Sequence, residues 1–239
     1  MKLKDFLPPV LIKGLQYARV TYSNAIMHKR YDVNGDDYNA KQYWRHRHKE
    51  HGFHSLKGVG HGGLSEEENR AWYDSARYIF SGILQEVVVN PTSKVLELGY
   101  GTGFYTGIIN CLGIQNYLGI DIVDEHIKDL QSKYPNFRFK QADIGIDKVD
   151  YPACQLIYMI DVSQHITNDD KLLFCLKKNV YDNLDMGGVF IITDELKNKK
   201  YSFYEKSRSI EYYINALNLP LLHKPILFRD KYIFSFKKK

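Results

Sequence analysis

From residue 94 onward, short apolar runs alternate with stretches whose apolar residues recur at helical spacing. Residues 94–98, 116–122, 156–161 and 189–193 read as strands of the bounded apolar kind that a parallel sheet buries on both faces, and 137–141 as an alternating strand. Between them, 105–110, 124–133 and 169–184 read as helices. Pro135 stops the second, and Leu172, Leu173, Leu176 and Val180 mark one face of the third. Residues 224–236 read as two further strands joined at Arg229-Asp230. Upstream, Ser65-Glu66-Glu67-Glu68 is a capping box with three acids at the positive end of a helix. That helix runs to about residue 86, with Trp72, Ala76, Ile79, Phe80 and Ile83 on one side. Strands alternating with helices predict an α/β sheet that is mostly parallel, with crossover connections.

The first 64 residues lack this alternation and form a separate N-terminal segment. Pro8 and Pro9 suit a helix start, and 10–25 reads as a helix made apolar on one side by Val10, Leu11, Leu15 and Tyr17. Two readings fit it: a helix packed on the domain or on a second copy in a homodimer, or one lying on a membrane surface through residues 1–27. Residues 28–40 are rich in Asp, Asn and Gly and read as a linker. The histidines at 46, 48, 51, 54 and 61 invite a metal reading, yet His46, His48 and His51 do not share one helical face. No carboxylate or thiolate pair accompanies them, so no metal is expected.

Composition narrows the setting. At 239 residues, with 44% apolar and 26% charged, the chain suits one well-filled domain with an appendage. A net charge of +5, spread out apart from Lys237-Lys238-Lys239, gives no nucleic-acid footprint. Cys111, Cys154 and Cys175 stand apart and read as buried thiols in a reducing compartment. No apolar run approaches the ~20 residues of a bilayer span and no cleavable signal is evident, so a cytoplasmic location is expected.

Chemistry concentrates where the first strand ends, at Glu97-Leu98-Gly99-Tyr100-Gly101-Thr102-Gly103. A strand, a glycine turn and a helix start bring backbone N–H groups close to a bound nucleotide. The dinucleotide fingerprint needs a small sixth residue, and Phe104 stands there instead. Three later strands end in Asp121, Asp143 and Asp161, at the sheet edge where open α/β folds bind ligands.

The spacing Glu-x-Gly-x-Gly-x-Gly resembles motif I of the class I S-adenosylmethionine (SAM)-dependent methyltransferases, and the resemblance spans about residues 93–195. It implies a Rossmann-like fold with a seven-stranded sheet, an N-terminal helical lid over 1–64 and a methyltransferase domain over 65–239. It also implies SAM as cofactor. Gly99, Tyr100, Gly101 and Gly103 would form the cofactor turn, and Glu97 would accept from backbone N–H groups or the methionine amine. Asp121 would hold ribose. Asp143 would address adenine between Ile122 and Ile144, and Asp161 would close the set.

The segment Asp161-Val162-Ser163-Gln164-His165-Ile166 is similar to the Asp-x-x-Gln-His-Ile form of small-molecule methyltransferases. It lacks the Asn/Asp-Pro-Pro-aromatic signature of enzymes acting on base or glutamine amino groups. His165 is then the candidate base, or alternatively a helix cap. Arg208, Asp194 and Glu195 are candidate substrate contacts, while Arg45, Arg47 and the loop 58–63 are candidate cofactor or substrate contacts. The implied reaction is O-methylation of a sugar, lipid-linked glycan or secondary metabolite. A non-catalytic SAM-binding protein acting through its N-terminal helix and a nicotinamide-dependent oxidoreductase are the alternatives.

Overall fold

The computed structural model describes residues 25–52, 55–87 and 89–239. The helix expected over 10–25 lies almost wholly outside the described residues.

A central seven-stranded sheet has the order β3-β2-β1-β4-β5-β9-β8. Its strands are β1 (Lys94–Leu98), β2 (Asn116–Asp121), β3 (Arg138–Gln141), β4 (Cys154–Met159), β5 (Leu184–Asp194), β8 (Leu221–Phe228) and β9 (Lys231–Lys237). The first five run parallel, and β9 pairs antiparallel with both β5 and β8. The mostly parallel α/β sheet expected from the alternation is therefore present. The order steps from β1 outward to β3 and then back across to β4. This reversal opens a crevice at the carboxyl ends of β1 and β4.

The apolar strands are buried on both faces, so two cores form. One contains Phe80, Tyr105, Ile109, Tyr158 and Ile191, and the other contains Leu96, Ile120, Ile157, Leu176 and Phe234. Helices cover the faces, among them α3 (Glu66–Glu86), α4 (Phe104–Cys111), α5 (Ile127–Lys133) and α6 (Asp169–Phe174), which continues as a π-helical turn over Cys175–Tyr181. Ser65 and Glu68 form the expected reciprocal capping box on α3.

The linker expected over 28–40 is corrected. Residues 25–30 are helical, and Tyr31 and Tyr38 are buried with Tyr43 and the flanking Phe203 in a third cluster. The polar residues between the two tyrosines make a tight turn around Gly35 (φ 59°), closed by an Asn34–Asp37 bridge. Turn chemistry was read as slackness, when its tyrosines were core.

From this cluster, α1 (Ala40–His51) and a short α2 (Leu56–Val59) cross above the crevice. Lys171 pairs with Asp37, Lys200 and Lys206 pair with Asp36, and Tyr38 donates to the His165 carbonyl at 3.0 Å, tying this N-terminal segment to the sheet. Between β5 and β8 lie an unforeseen hairpin, β6 (Lys199–Ser202) with β7 (Glu205–Ser207), and α7 (Ile210–Leu217).

Candidate active site

The glycine turn follows β1 with positive φ at Gly99 (92°), Gly101 (50°) and Gly103 (79°). A Cβ at Gly99 would clash with Val162 Cγ2, and one at Gly103 with Leu130 Cδ2. Protein packing as well as backbone conformation therefore demands glycine at both positions. Asp121, at the end of β2, locks the turn: Oδ2 accepts from Gly101 N–H at 2.9 Å and Oδ1 from Val123 N–H at 3.1 Å. Burial pushes its carboxyl up to about 6, against the pull of these backbone donors. Each oxygen keeps a second lone pair, which suits a vicinal diol.

Above the turn opens a cleft of about 1090 Å³, counting the space at its mouth that is open to solvent. Gly99, Tyr100, Gly101, Asp121, Ile122, Asp143, Ile144, Asp161 and His165 all border it, so the structure brings together most of the residues singled out in the sequence. Asp143 Oδ1 accepts from Gly145 N–H at 2.9 Å. The N-terminal segment supplies Tyr38, Trp44, His48 and Val59. Val59 belongs to the expected loop 58–63, whereas Tyr38, Trp44 and His48 were missed, although an aromatic-rich stretch amid polar residues is the signal that marks them. The cradle fits SAM: it offers an acidic pair of lone pairs at β2, an apolar slot with a carboxylate at β3, and a turn without side chains.

Several expectations need correction. Glu97 does not face the cleft. It is fully buried, where Thr106 Oγ1 (2.7 Å), Tyr158 OH (2.6 Å) and Tyr117 OH all donate to its Oε2. Burial raises its carboxyl to about 7 against those three hydroxyls. Strand alternation explains this, since Glu97 points to the opposite face from Leu96 and Leu98. Tyr100 borders the cleft, but its hydroxyl is committed to the Val123 carbonyl at 3.0 Å.

Arg208 is 2% exposed and holds no substrate position. It donates to the carbonyls of Ser163, Ile166, Thr167 and Lys206 and to the Asp169 carboxylate, so it clamps the loop carrying His165. Asp194 is likewise buried, accepting from Ser207, Tyr213 and the Glu195 N–H. Arg45 points outward to Asp124 (2.7 Å) and Glu125.

Asp161 sits between the cleft and a second cavity, with φ 59°. Although burial opposes its charge, Arg229 and then Lys231 hold its carboxyl well below the usual range. Arg229 is in turn stacked against Trp72, Tyr73 and Phe228 at 4.9–5.0 Å. These two cations were missed because a strand-joining turn carries no motif.

His165 ends a short 3₁₀ turn and does not cap α6, whose N-cap is Asn168. Its Nδ1–H donates to the Tyr204 carbonyl at 2.9 Å, which leaves Nε2 as the acceptor, 3.3 Å from the Gln164 amide nitrogen. Burial, then Lys231, pushes the imidazole down to about 3, so it is neutral. Of the other histidines, His46 pairs with the Tyr31 hydroxyl, and buried His48 lies 3.3 Å from His126.

The second cavity encloses about 910 Å³ and shares Trp44, Tyr73, Asp161 and His165 with the first. Arg47, the loop 60–63, Trp72, Tyr204, Glu205 and the turn residues Arg229, Asp230 and Lys231 complete its walls.

Residues 96–192 match the family model for a methyltransferase domain. No curated protein matches the chain by sequence. Solved structures share its fold. A SAM-dependent methyltransferase from Clostridium acetobutylicum is 19% identical, with 71% of this chain and 91% of that one covered and a TM-score of 0.54. A TehB-like SAM-dependent methyltransferase from Corynebacterium glutamicum is 16% identical, over 69% and 87%, at 0.53. The 1,6-didemethyltoxoflavin-N1-methyltransferase of Burkholderia thailandensis, bound to 1,6-didemethyltoxoflavin and S-adenosylhomocysteine, is 14% identical over 75% and 83%, at 0.57. With the glycine turn and the strand order, these findings make residues 96–192 a methyltransferase domain with the fold of the class I SAM-dependent methyltransferases.

Proposed function

We propose that the chain methylates an oxygen of a small molecule held in the second cavity: a sugar, a lipid-linked glycan or a secondary metabolite. The observation that carries this reading is the shared wall of Trp44, Tyr73, Asp161 and His165, which lets two ligands meet. In the first cavity Asp121 takes the ribose hydroxyls, Asp143 takes the adenine amine between Ile122 and Ile144, and the turn 99–103 borders the methionine end. SAM supplies an electrophilic methyl group there. Residues 25–64 act as the lid that excludes water and fixes the approach of the nucleophile.

His165 faces the boundary as a neutral imidazole whose tautomer is set by Tyr204. Its Nε2 lone pair accepts from the nucleophilic hydroxyl once that group displaces the long Gln164 contact. With its basicity depressed, it aligns the O–H and receives the proton only as methyl transfer makes that oxygen acidic.

The test is transfer of tritiated methyl from SAM to a panel of hydroxylated sugars and phenols and to matched amines. Labelling of the hydroxyl compounds, cut ~10²-fold in His165→Ala, is expected. Labelling of amines alone would overturn the oxygen assignment.

A further inference from the structure

The second cavity carries an unspent charge pair. Arg229 and Lys231 are both committed to Asp161, whereas Arg47 has no carboxylate partner among the described residues. Arg47 is nonetheless fixed: Nε donates to the Gly58 carbonyl at 2.9 Å, Nη2 to the Gly60 carbonyl at 2.8 Å, and its guanidinium lies 5.7 Å from the Trp44 ring centre. Three of its five N–H groups are used, counting a long 3.5 Å contact to the Tyr43 hydroxyl, which leaves two for a ligand.

Glu205, half-buried on β7 and lining the same cavity, has no ion-pair partner among the described residues either. Burial raises its carboxyl, and Glu195 and Asp230 push the same way against Lys231 and Arg47. Arg47 and Glu205 thus feel each other without touching. An arginine pre-positioned by backbone carbonyls, sharing the cavity with an uncontacted carboxylate, gives it a polarity that a ligand must match.

Resting on the acceptor assignment above, we propose that the acceptor carries an anionic group, a carboxylate or a phosphate, seated on Arg47. Glu205 repels that group and so fixes which end of the acceptor lies toward the cofactor. The aromatic walls Trp44, Trp72 and Tyr204 suit a ring as the body of the molecule.

Both tryptophans of the chain, Trp44 and Trp72, border this cavity, and Trp44 also borders the cofactor cleft. Intrinsic fluorescence therefore reads both sites. The protein is first saturated with S-adenosylhomocysteine and then titrated with benzoate, phenyl phosphate or benzyl alcohol. One of the anions is expected to bind at least about 10-fold more tightly than the alcohol, as a charge-assisted contact to arginine requires, and the better anion names the group. Arg47→Gln should bring the ratio close to one, Arg47→Lys should keep part of it, and Glu205→Gln should tighten anion binding several-fold. Melting and S-adenosylhomocysteine affinity show that each variant is folded. Equal binding of alcohol and anions, no saturable response to either anion, or an undiminished preference in folded Arg47→Gln would overturn the proposal. Loss of the S-adenosylhomocysteine response would instead count against the cofactor cleft.

Discussion

Replacing Arg208 by Met separates a structural clamp from a substrate contact. In the structure Nη1 donates to Ser163 O (3.2 Å) and Lys206 O (3.0 Å), and Nη2 to Ile166 O (2.7 Å) and Thr167 O (3.0 Å). Nε and Nη2 both reach Asp169 Oδ1, at 3.0 and 2.9 Å. The arginine side chain is 3% exposed and that of Asp169 is 52% exposed. Water can therefore re-solvate Asp169 after the substitution, and little is lost on that side. The four carbonyls have no such recourse, and net contributions of about 1 kcal/mol per hydrogen bond sum to roughly 3–5 kcal/mol. At 2–4 °C per kcal/mol for a chain of this size, the melting temperature should fall by roughly 6–20 °C.

Affinity for S-adenosylhomocysteine should fall as well, because the freed loop includes Val162, His165 and Ile166 of the cofactor cleft. Arg208→Lys, which keeps one charge but loses the fork, should lie between. Thermal melting by circular dichroism, with calorimetric titration beside it, reads both quantities. A variant that melts within ~2 °C of wild type would refute the clamp and return Arg208 to a ligand-binding role.

Asp121→Ala should weaken S-adenosylhomocysteine binding by about 1.5–3 kcal/mol, the scale of hydrogen bonds to a charged group, measured by calorimetry. Unchanged affinity would remove the ribose assignment. Gly99→Ala places a Cβ against Val162 at φ 92°, and should lower stability by about 2 kcal/mol or more in a denaturant melt. A neutral outcome would mean that the loop after β4 yields freely. Glu97 has a folded-state carboxyl raised from 4.5 to about 7, so its contribution is complete below the unfolded value and is lost as pH rises through about 7. The melting-temperature advantage of wild type over Glu97→Gln should therefore shrink between pH 5 and pH 8; a constant gap would contradict the buried protonated form.

Much of the frame was legible because it depends on local pattern. Four of the five parallel strands are apolar runs of the length a doubly covered sheet requires, β3 is an alternating edge strand, and Ser65 with Glu68 declared the start of α3. The cleft followed from the glycine turn and the strand-terminal Asp121 and Asp143, whose positions at strand ends are set by the chain itself. What failed depended on contacts distant in sequence. Arg208 looks like any exposed basic residue until α7 and the loop after β4 surround it. Glu97 satisfies a motif, yet the face it takes on β1 puts it among Thr106, Tyr117 and Tyr158. Tyr31 and Tyr38 lay in a polar turn whose burial depends on Phe203, far along the chain. The second cavity is built from the N-terminal segment, the β6–β7 hairpin and the β8–β9 turn together, and no short stretch carries its outline.

The most direct test of the account is calorimetric titration of the intact chain with S-adenosylhomocysteine, beside NAD as a control. The account predicts a single saturable site for S-adenosylhomocysteine, weakened in Asp121→Ala, and no binding of NAD. Binding of NAD without S-adenosylhomocysteine, or of neither, would contradict the assignment of the cleft beneath Tyr38 and Trp44 as a SAM site.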